Sequence, residues 1–179
     1  FYYKPRIDLD LLEEHAEGLV ALSACLKGEI PEAILNNNVS GARQAALRFQ
    51  SILGKDNFFL EMQDHGIREE KAVLPEILKM SREMNIPAVA TNDIHYLEEE
   101  HWEAHDVLLC LQTGKDYDDP KRMRYNTHSL FYKNYQQMKE LFPGRTDVLE
   151  NSLEVAEKCN LEIDLKSYHL PEFEIPKED

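Results

Sequence analysis

Asn57-Phe58-Phe59-Leu60-Glu61-Met62-Gln63, a helix-periodic stretch over residues 67–85, and Pro87-Ala88-Val89-Ala90-Thr91 decide the fold class of this chain. The two short apolar runs, bounded by turn residues, read as buried strands. Between them Val73, Ile77 and Met84 fall on one helical stripe with Leu74 and Leu78 beside it, and Pro75 marks a kink or a late first turn. Pro87 takes the first strand position, where no ladder donor is lost. Strands separated by a helix of this length pair in parallel through a right-handed crossover, which gives an α/β sheet or barrel.

Toward the N-terminus, Leu19-Val20-Ala21-Leu22 reads as an earlier strand of the same kind. Before it, Asp8 caps a helix over 9–17 that Gly18 closes. After it come a helix over 30–36, with Pro31 near its start, and a second helix capped by Ser40. The second helix carries Ala45, Ala46, Phe49, Ile52 and Leu53 at helical spacing before Gly54. Toward the C-terminus, a helix over 98–111 precedes a polar loop over 114–124 that contains Asp118-Asp119-Pro120. Asn134 and Thr146 cap helices over 135–142 and 147–159. From Ser167 onward, Pro171 and Pro176 among acidic residues read as an extended linker. The chain therefore divides into a strand–helix part (1–97), a helical region (98–166) and a linker (167–179). Trp102, Leu108 and Leu109 read as core, and Cys110 and Cys159 as packing residues.

The 179 residues carry a formal net charge of −14, with 34 acidic residues against 20 basic ones and seven histidines taken as neutral. Of these, 19 acidic and 10 basic residues lie beyond position 97. Coating a nucleic acid requires clustered Lys and Arg, so this balance argues against a surface that grips a duplex by itself. Apolar residues make up 42% of the chain, enough for a core, and about two thirds of the unfolded surface is buried at this size. The uncharged runs 18–26 and 33–42 are too short to span a bilayer, and no signal-peptide pattern opens the chain. Three cysteines without a C-x-x-C pair read as reduced thiols, and with the missing export signal this gives a cytoplasmic expectation with no membrane partner. The chain opens on Phe1 and not on Met, and Phe1-Tyr2-Tyr3-Lys4-Pro5-Arg6 reads as the middle of a longer polypeptide.

Three strand ends carry the polar groups that chemistry needs. In Thr91-Asn92-Asp93-Ile94-His95, residues i and i+2 of extended chain point the same way, so the Asp93 carboxylate and the His95 imidazole can approach one metal ion. The competing reading is a capping aspartate beside a satisfied histidine. Cys25, just past the first strand in Leu22-Ser23-Ala24-Cys25-Leu26-Lys27-Gly28-Glu29, is either a soft thiolate ligand or a small buried hydrophobe. At the third end, Glu61, Gln63 and His65 alternate onto one face, against a turn reading in which Asp64 and Gly66 serve the backbone and His65 is solvated. His101 and His105, one helical turn apart, read as structural on an acidic face, and His15, His128 and His169 are isolated. No phosphate-binding P-loop, no G-x-S-x-G and no kinase signature occurs.

Several of these segments appear together, in order, in one known family. The N-terminal Phe1 to Asp8 stretch, the Cys25 loop, Leu60-Glu61-Met62-Gln63-Asp64-His65-Gly66 and Ala90-Thr91-Asn92-Asp93-Ile94-His95-Tyr96-Leu97 resemble the bacterial replicative DNA polymerase III alpha subunits, the C-family polymerases. They resemble the second half of the N-terminal polymerase and histidinol phosphatase (PHP) domain. Residues 131–142, Ala156-Glu157-Lys158-Cys159-Asn160 and Tyr168-His169-Leu170-Pro171-Glu172-Phe173 resemble the segment that joins that domain to the palm. The resemblance covers essentially the whole chain.

The resemblance implies a partial PHP-type distorted (β/α)7 barrel followed by a mostly helical region. It implies Cys25, Asp93 and His95 as ligands of divalent zinc, manganese or magnesium; Glu61 and His65 remain site-lining candidates from their alternation alone, and His65 is not among the family's ligands. The family's earlier metal motifs, an H-x-H pair, a T-D-H segment, a glutamate and a further histidine, precede the position of Phe1. The polymerase aspartates lie beyond Asp179. The expectation is thus an incomplete metal site and no DNA synthesis by these residues alone. In the parent subunit the resemblance implies DNA-directed DNA synthesis with DNA and deoxynucleotides as partners, and metal-dependent 3′–5′ phosphodiester hydrolysis for proofreading. The alternative is an inactive PHP scaffold that stabilises the polymerase and docks a separate proofreading exonuclease. A free-standing phosphatase has no use for the long helical region after His95.

Overall fold

The computed structural model describes residues 6–168 and 170, so the opening pentapeptide, His169 and nearly all of the expected linker at 167–179 lie outside the described residues. β2 (Phe58–Met62) is the middle strand of a three-stranded parallel sheet, between β1 (Ala21–Leu22) and β3 (Ala88–Ala90). The register sets Ala21 and Leu22 against Phe58 and Phe59, and Leu60, Glu61 and Met62 against Ala88, Val89 and Ala90. A strand with two parallel neighbours is covered on both faces, and β2 is accordingly buried at every position except the half-buried Glu61.

Parallel neighbours cannot be joined by a tight turn, so each connection is a helical crossover. α1 (Leu9–Glu14) precedes the sheet, α2 (Glu29–Leu35) and α3 (Val39–Leu53) link β1 to β2, and α4 (Arg68–Met84) links β2 to β3. A 3-10 turn (Glu99–His101), α5 (Trp102–Thr113), α6 (Tyr135–Leu141) and α7 (Thr146–Lys158) follow. The element types match the sequence reading. The resemblance implies part of a (β/α)7 barrel, and among the described residues the sheet has three parallel strands, which does not by itself establish a barrel.

Several boundaries differ for local reasons. α1 stops at Glu14, where His15 takes a non-helical conformation, three residues short of the expected end. Ser40 is not the cap of α3. Asn38 is, because its side-chain oxygen accepts the Gly41 amide at 3.0 Å while the Ser40 hydroxyl turns back onto it. Thr146 is likewise the first helical residue of α7, with Arg145 before it as the cap. Pro75 lies inside α4 and the helix continues through it. The buried stripe of α4 is Glu70, Val73, Ile77 and Met80, so Met80 takes the place assigned to Met84, and an acid occupies its first position.

Phe58, Leu60, Met62, Ala88 and Ala90 point from the sheet into a single core with Ile30, Ala42, Ala46, Ile77 and Met80. Met138 of α6, Phe142, and Val148 and Leu149 of α7 join the same core, so the helical second half packs onto the sheet. The Asn151 side chain of α7 donates to the Ala88 carbonyl at 2.7 Å, satisfying a backbone acceptor on the outer edge of β3. Leu109 and Cys110 are buried as expected, but Trp102 is only half-buried, and Leu108 and Cys159 are exposed. Leu108 lies on the outward side of α5, and Cys159 lies past the last turn of α7. Removing side-chain volume from one core should destabilise both halves together. Ile77→Ala and Leu149→Ala should each cost about 2–5 kcal/mol in urea unfolding with a single transition retained, whereas Leu108→Ala should change stability little.

Candidate functional site

The C-terminal ends of the three strands bring their following loops to one edge of the sheet, where α/β folds place their sites. Along β2, Phe58, Leu60 and Met62 face the core, so the alternate positions Glu61 and Gln63 face the other way. There the Glu61 carboxylate accepts from the Thr91 hydroxyl and from the Gln63 amide at 3.1 Å, and that amide also reaches the Thr91 oxygen at 3.2 Å. The Glu61 backbone N–H donates to the Ser23 hydroxyl at 2.8 Å, which ties the end of β1 to β2.

The loop after β1 is tightly built. Ala24 has a positive φ of 64°, a left-handed conformation that costs a non-glycine residue about 1–2 kcal/mol. Gly28 closes the loop, its N–H donating to the Cys25 carbonyl at 2.7 Å, and a Cβ there would fall 2.4 Å from the Ser23 carbonyl oxygen. Cys25 is exposed at this turn and borders a small cavity of about 20 Å³ with Glu61, Gln63 and Glu70. That volume holds about one water.

After β3 the chain turns through Asn92, Asp93 and His95. The Asp93 carboxylate lies 3.2 Å from His95 Nε2, so the two side chains converge as the D-x-H spacing predicts. The loop is clamped from the 127–133 segment: the His95 N–H donates to the Leu130 carbonyl at 2.8 Å, and the Asn92 amide donates to the Phe131 carbonyl at 2.7 Å. Lys133 donates to the Ser129 carbonyl and to Asn92, and its ammonium lies 4.1 Å from the centre of the Phe131 ring. Burial holds its pKa below the ordinary lysine value despite the acids Glu99, Glu70 and Asp64.

His65 takes neither of its expected places, because it is neither solvated nor open to the strand-end face. It is 3% exposed, and both ring nitrogens are engaged. Nε2 accepts the Asp93 backbone N–H at 3.1 Å, and Nδ1 lies 2.7 Å from a Glu70 carboxylate oxygen whose partner oxygen accepts the His65 N–H at 2.7 Å. The Thr127 hydroxyl donates to the His65 carbonyl at 2.6 Å. Glu70 is the signal that the sequence contained: an acid three residues before Val73 lies on the buried stripe of α4 and needs a partner.

Two further groups close around His95. His105 and Tyr125 stand with ring centres 5.1 and 4.9 Å from it, edge-on. Burial first, and then the neighbouring His95, hold His105 below the usual histidine value. His101, the other half of the helical pair, instead accepts the Glu98 N–H and caps the 3-10 turn. A cavity of about 140 Å³ opens beside this cluster, lined by Tyr96, Trp102, His105, Arg124, Tyr125 and His128. His128 is not isolated: it stacks on Trp102, with ring centres 3.8 Å apart and planes 6° from parallel.

The sequence-expected ligands thus fall into two places. Asp93 and His95 form a pair, while Cys25 borders the Glu61 cavity. Among the described residues no group of three or more His, Cys, Asp or Glu side chains is gathered to hold one ion. The pair itself fits a metal: two donors about 2.0–2.1 Å from a tetrahedral ion stand about 3.3 Å apart, close to the spacing seen, and a nitrogen with a carboxylate oxygen is a donor set for zinc or manganese.

Comparison with known proteins agrees with the motifs. A PHP domain model matches residues 1–65. The chain is 41% identical over 177 residues to the DNA polymerase III subunit alpha of Treponema pallidum, covering 99% of the chain and 15% of that protein. It is 40% identical to the subunit of the same name from Borreliella burgdorferi over 99% of the chain and 16% of that protein. The corresponding figures for Thermus aquaticus are 38%, 99% and 15%. The chain therefore spans roughly a sixth of the length of the curated relatives it matches.

The polar loop over 114–124 is held to α5 by a paired fork. The Arg122 guanidinium donates to both Asp106 carboxylate oxygens, at 2.6 and 2.5 Å, and to the Tyr117 carbonyl at 2.8 Å. Hydrogen bonding from Arg122, against an opposing effect of burial, holds the Asp106 carboxyl below the usual aspartate range. A carboxyl depressed in the folded state adds stability above its unfolded value and loses it as the pH falls through the folded one. Asp106→Asn should therefore lower the melting temperature at pH 7, and the gap from the parent should narrow as pH drops below about 4. A gap of constant size down to pH 2 would show that the ionised pair is not its source.

Proposed function

Since the chain is related along nearly its whole length to the DNA polymerase III alpha subunits, we propose that it forms the second half of the PHP domain of a replicative polymerase's catalytic subunit and that Asp93 and His95 belong to a divalent-metal site for 3′–5′ phosphodiester hydrolysis. The observation that carries this reading is the 3.2 Å approach of Asp93 to His95 Nε2 at the C-terminal end of β3. Cys25, which borders the Glu61 cavity apart from this pair, is a further candidate ligand, and a complete site would need donors from the rest of the subunit. The three-stranded sheet is then part of a distorted (β/α)7 barrel over 1–97. The 98–166 region completes the domain and leads toward the palm through 167–179.

A bound divalent ion supplies a water activated for attack at neutral pH and Lewis-acid stabilisation of the phosphoryl oxygens. The chain's own residues do the rest. Asp93 and His95 would hold the ion from a loop pinned on both sides, and the His105 and Tyr125 rings stand edge-on against His95 and support its orientation. Lys133 brings positive charge to an otherwise acidic neighbourhood, where a phosphate must approach. Synthesis of DNA, contacts with deoxynucleotides and the duplex, and the polymerase carboxylates belong to the parts of the subunit outside this chain, which carries a net charge of −14. Among the described residues no helix is long and apolar enough to cross a membrane, and a cytoplasmic replisome subunit is the setting this reading implies.

A second reading draws on the separation of Cys25 from the Asp93–His95 pair. In it the domain is a PHP scaffold that stiffens the polymerase and docks a separate proofreading exonuclease. The two are distinguished in the full-length subunit. Asp93→Ala should abolish metal-dependent 3′–5′ hydrolysis of a mispaired primer end and leave nucleotide incorporation within about twofold of the parent. Hydrolysis that survives the substitution would remove Asp93 from the catalytic site, and a parent subunit with no hydrolysis would favour the scaffold.

A further inference from the structure

The His65–Glu70 pair is buried, both ring nitrogens and both carboxylate oxygens have partners, and strand pairing does not account for it. Glu70 is 5% exposed on the core stripe of α4, and His65 is 3% exposed just past the end of β2. An uncompensated carboxylate in that place would be costly, yet both of its oxygens accept hydrogen bonds from His65 at 2.7 Å, one from the backbone and one from the ring. What the pair achieves is seen at its far side. The Asp93 backbone N–H, which can only donate, points at His65 Nε2 at 3.1 Å. Nε2 is therefore the bare nitrogen, and the proton is on Nδ1, donated to Glu70.

We infer that Glu70 and His65 are positioning residues for the Asp93–His95 pair, with the Glu70 carboxylate fixing the His65 tautomer and the His65 ring fixing the Asp93 backbone. This rests on the reading of Asp93 and His95 as metal ligands. Asp93 begins a turn with no strand partner of its own, so its side-chain direction depends on what its amide is tied to. The opposite side of the turn is tied by His95 N–H to Leu130, and Thr127 holds the His65 carbonyl. The chain of contacts runs from α4 through the end of β2 to the end of β3. Metal-ligating groups commonly depend on such outer partners, and losing one typically costs 10–100-fold in metal affinity.

Two substitutions separate the halves of the His65 contact. A glutamine reaches about as far as Nε2 and can accept the Asp93 N–H; an asparagine reaches about as far as Nδ1 and can donate to Glu70 without touching Asp93. In the full-length subunit, titrated with Zn²⁺ or Mn²⁺ alone, His65→Asn should bind metal about 10–100-fold more weakly, and His65→Gln should stay within a few-fold of the parent. Melting temperatures of both variants are read alongside. If the pair is merely structural, affinity will follow the melting temperature and not the Asp93 acceptor. Equal metal affinity in the parent and His65→Asn, or equal loss in both variants, overturns the inference. Asp93→Ala is the reference: if it binds metal as the parent does, the ligand assignment fails, whereas a loss in Asp93→Ala without one in His65→Asn refutes only the positioning role.

Discussion

The two-sided burial of β2 is the constraint from which the rest of the structure follows. Parallel pairing on both edges takes up its backbone groups, and α-helical crossovers cover the face formed by Phe58, Leu60 and Met62. A strand held this way has freedom only at its end. The polar residues Glu61, Gln63 and His65 are met there by Ser23 from the neighbouring end of β1 and by Thr91 and Asp93 from that of β3. The site is therefore a by-product of strand registration. Its groups are placed by a sheet whose core is apolar and whose loops need only short local ties.

Those ties explain why the helical second half belongs to the same object as the sheet. Val148 and Leu149 enter the core beneath β3, and Asn151 occupies a carbonyl on its outer edge. The 127–133 segment returns over the loop after β3 and supplies Leu130, Phe131 and Lys133 to it. A loop built on a single turn with no such ties would be mobile. Held between α4 on one side and a return segment on the other, this one is preorganised.

The fold class was legible because the strands are short apolar runs and α4 has a clean 3.6-residue period. Asp93 and His95 were legible because i and i+2 share a face in extended chain. Other features needed three dimensions. His105, Tyr125 and Lys133 reach the loop after β3 from positions 10 to 40 residues downstream, and no local pattern marks them. Ser40 and Thr146 carry the right chemistry for caps, but Asn38 and Arg145 hold the non-helical geometry at those ends. Glu70 was readable in principle: an acid in phase with Val73 and Ile77 announces a buried partner, and His65 five residues earlier is within reach.

The contact between Trp102 and His128 gives this molecule a built-in optical probe. The chain has one tryptophan, and its indole lies flat against an imidazole that belongs to the return segment, on the wall of the cavity beside His105 and Tyr125. Its ultraviolet emission therefore reports one place: whether the segment that clamps the strand-end loop is seated on α5 or lifted from it.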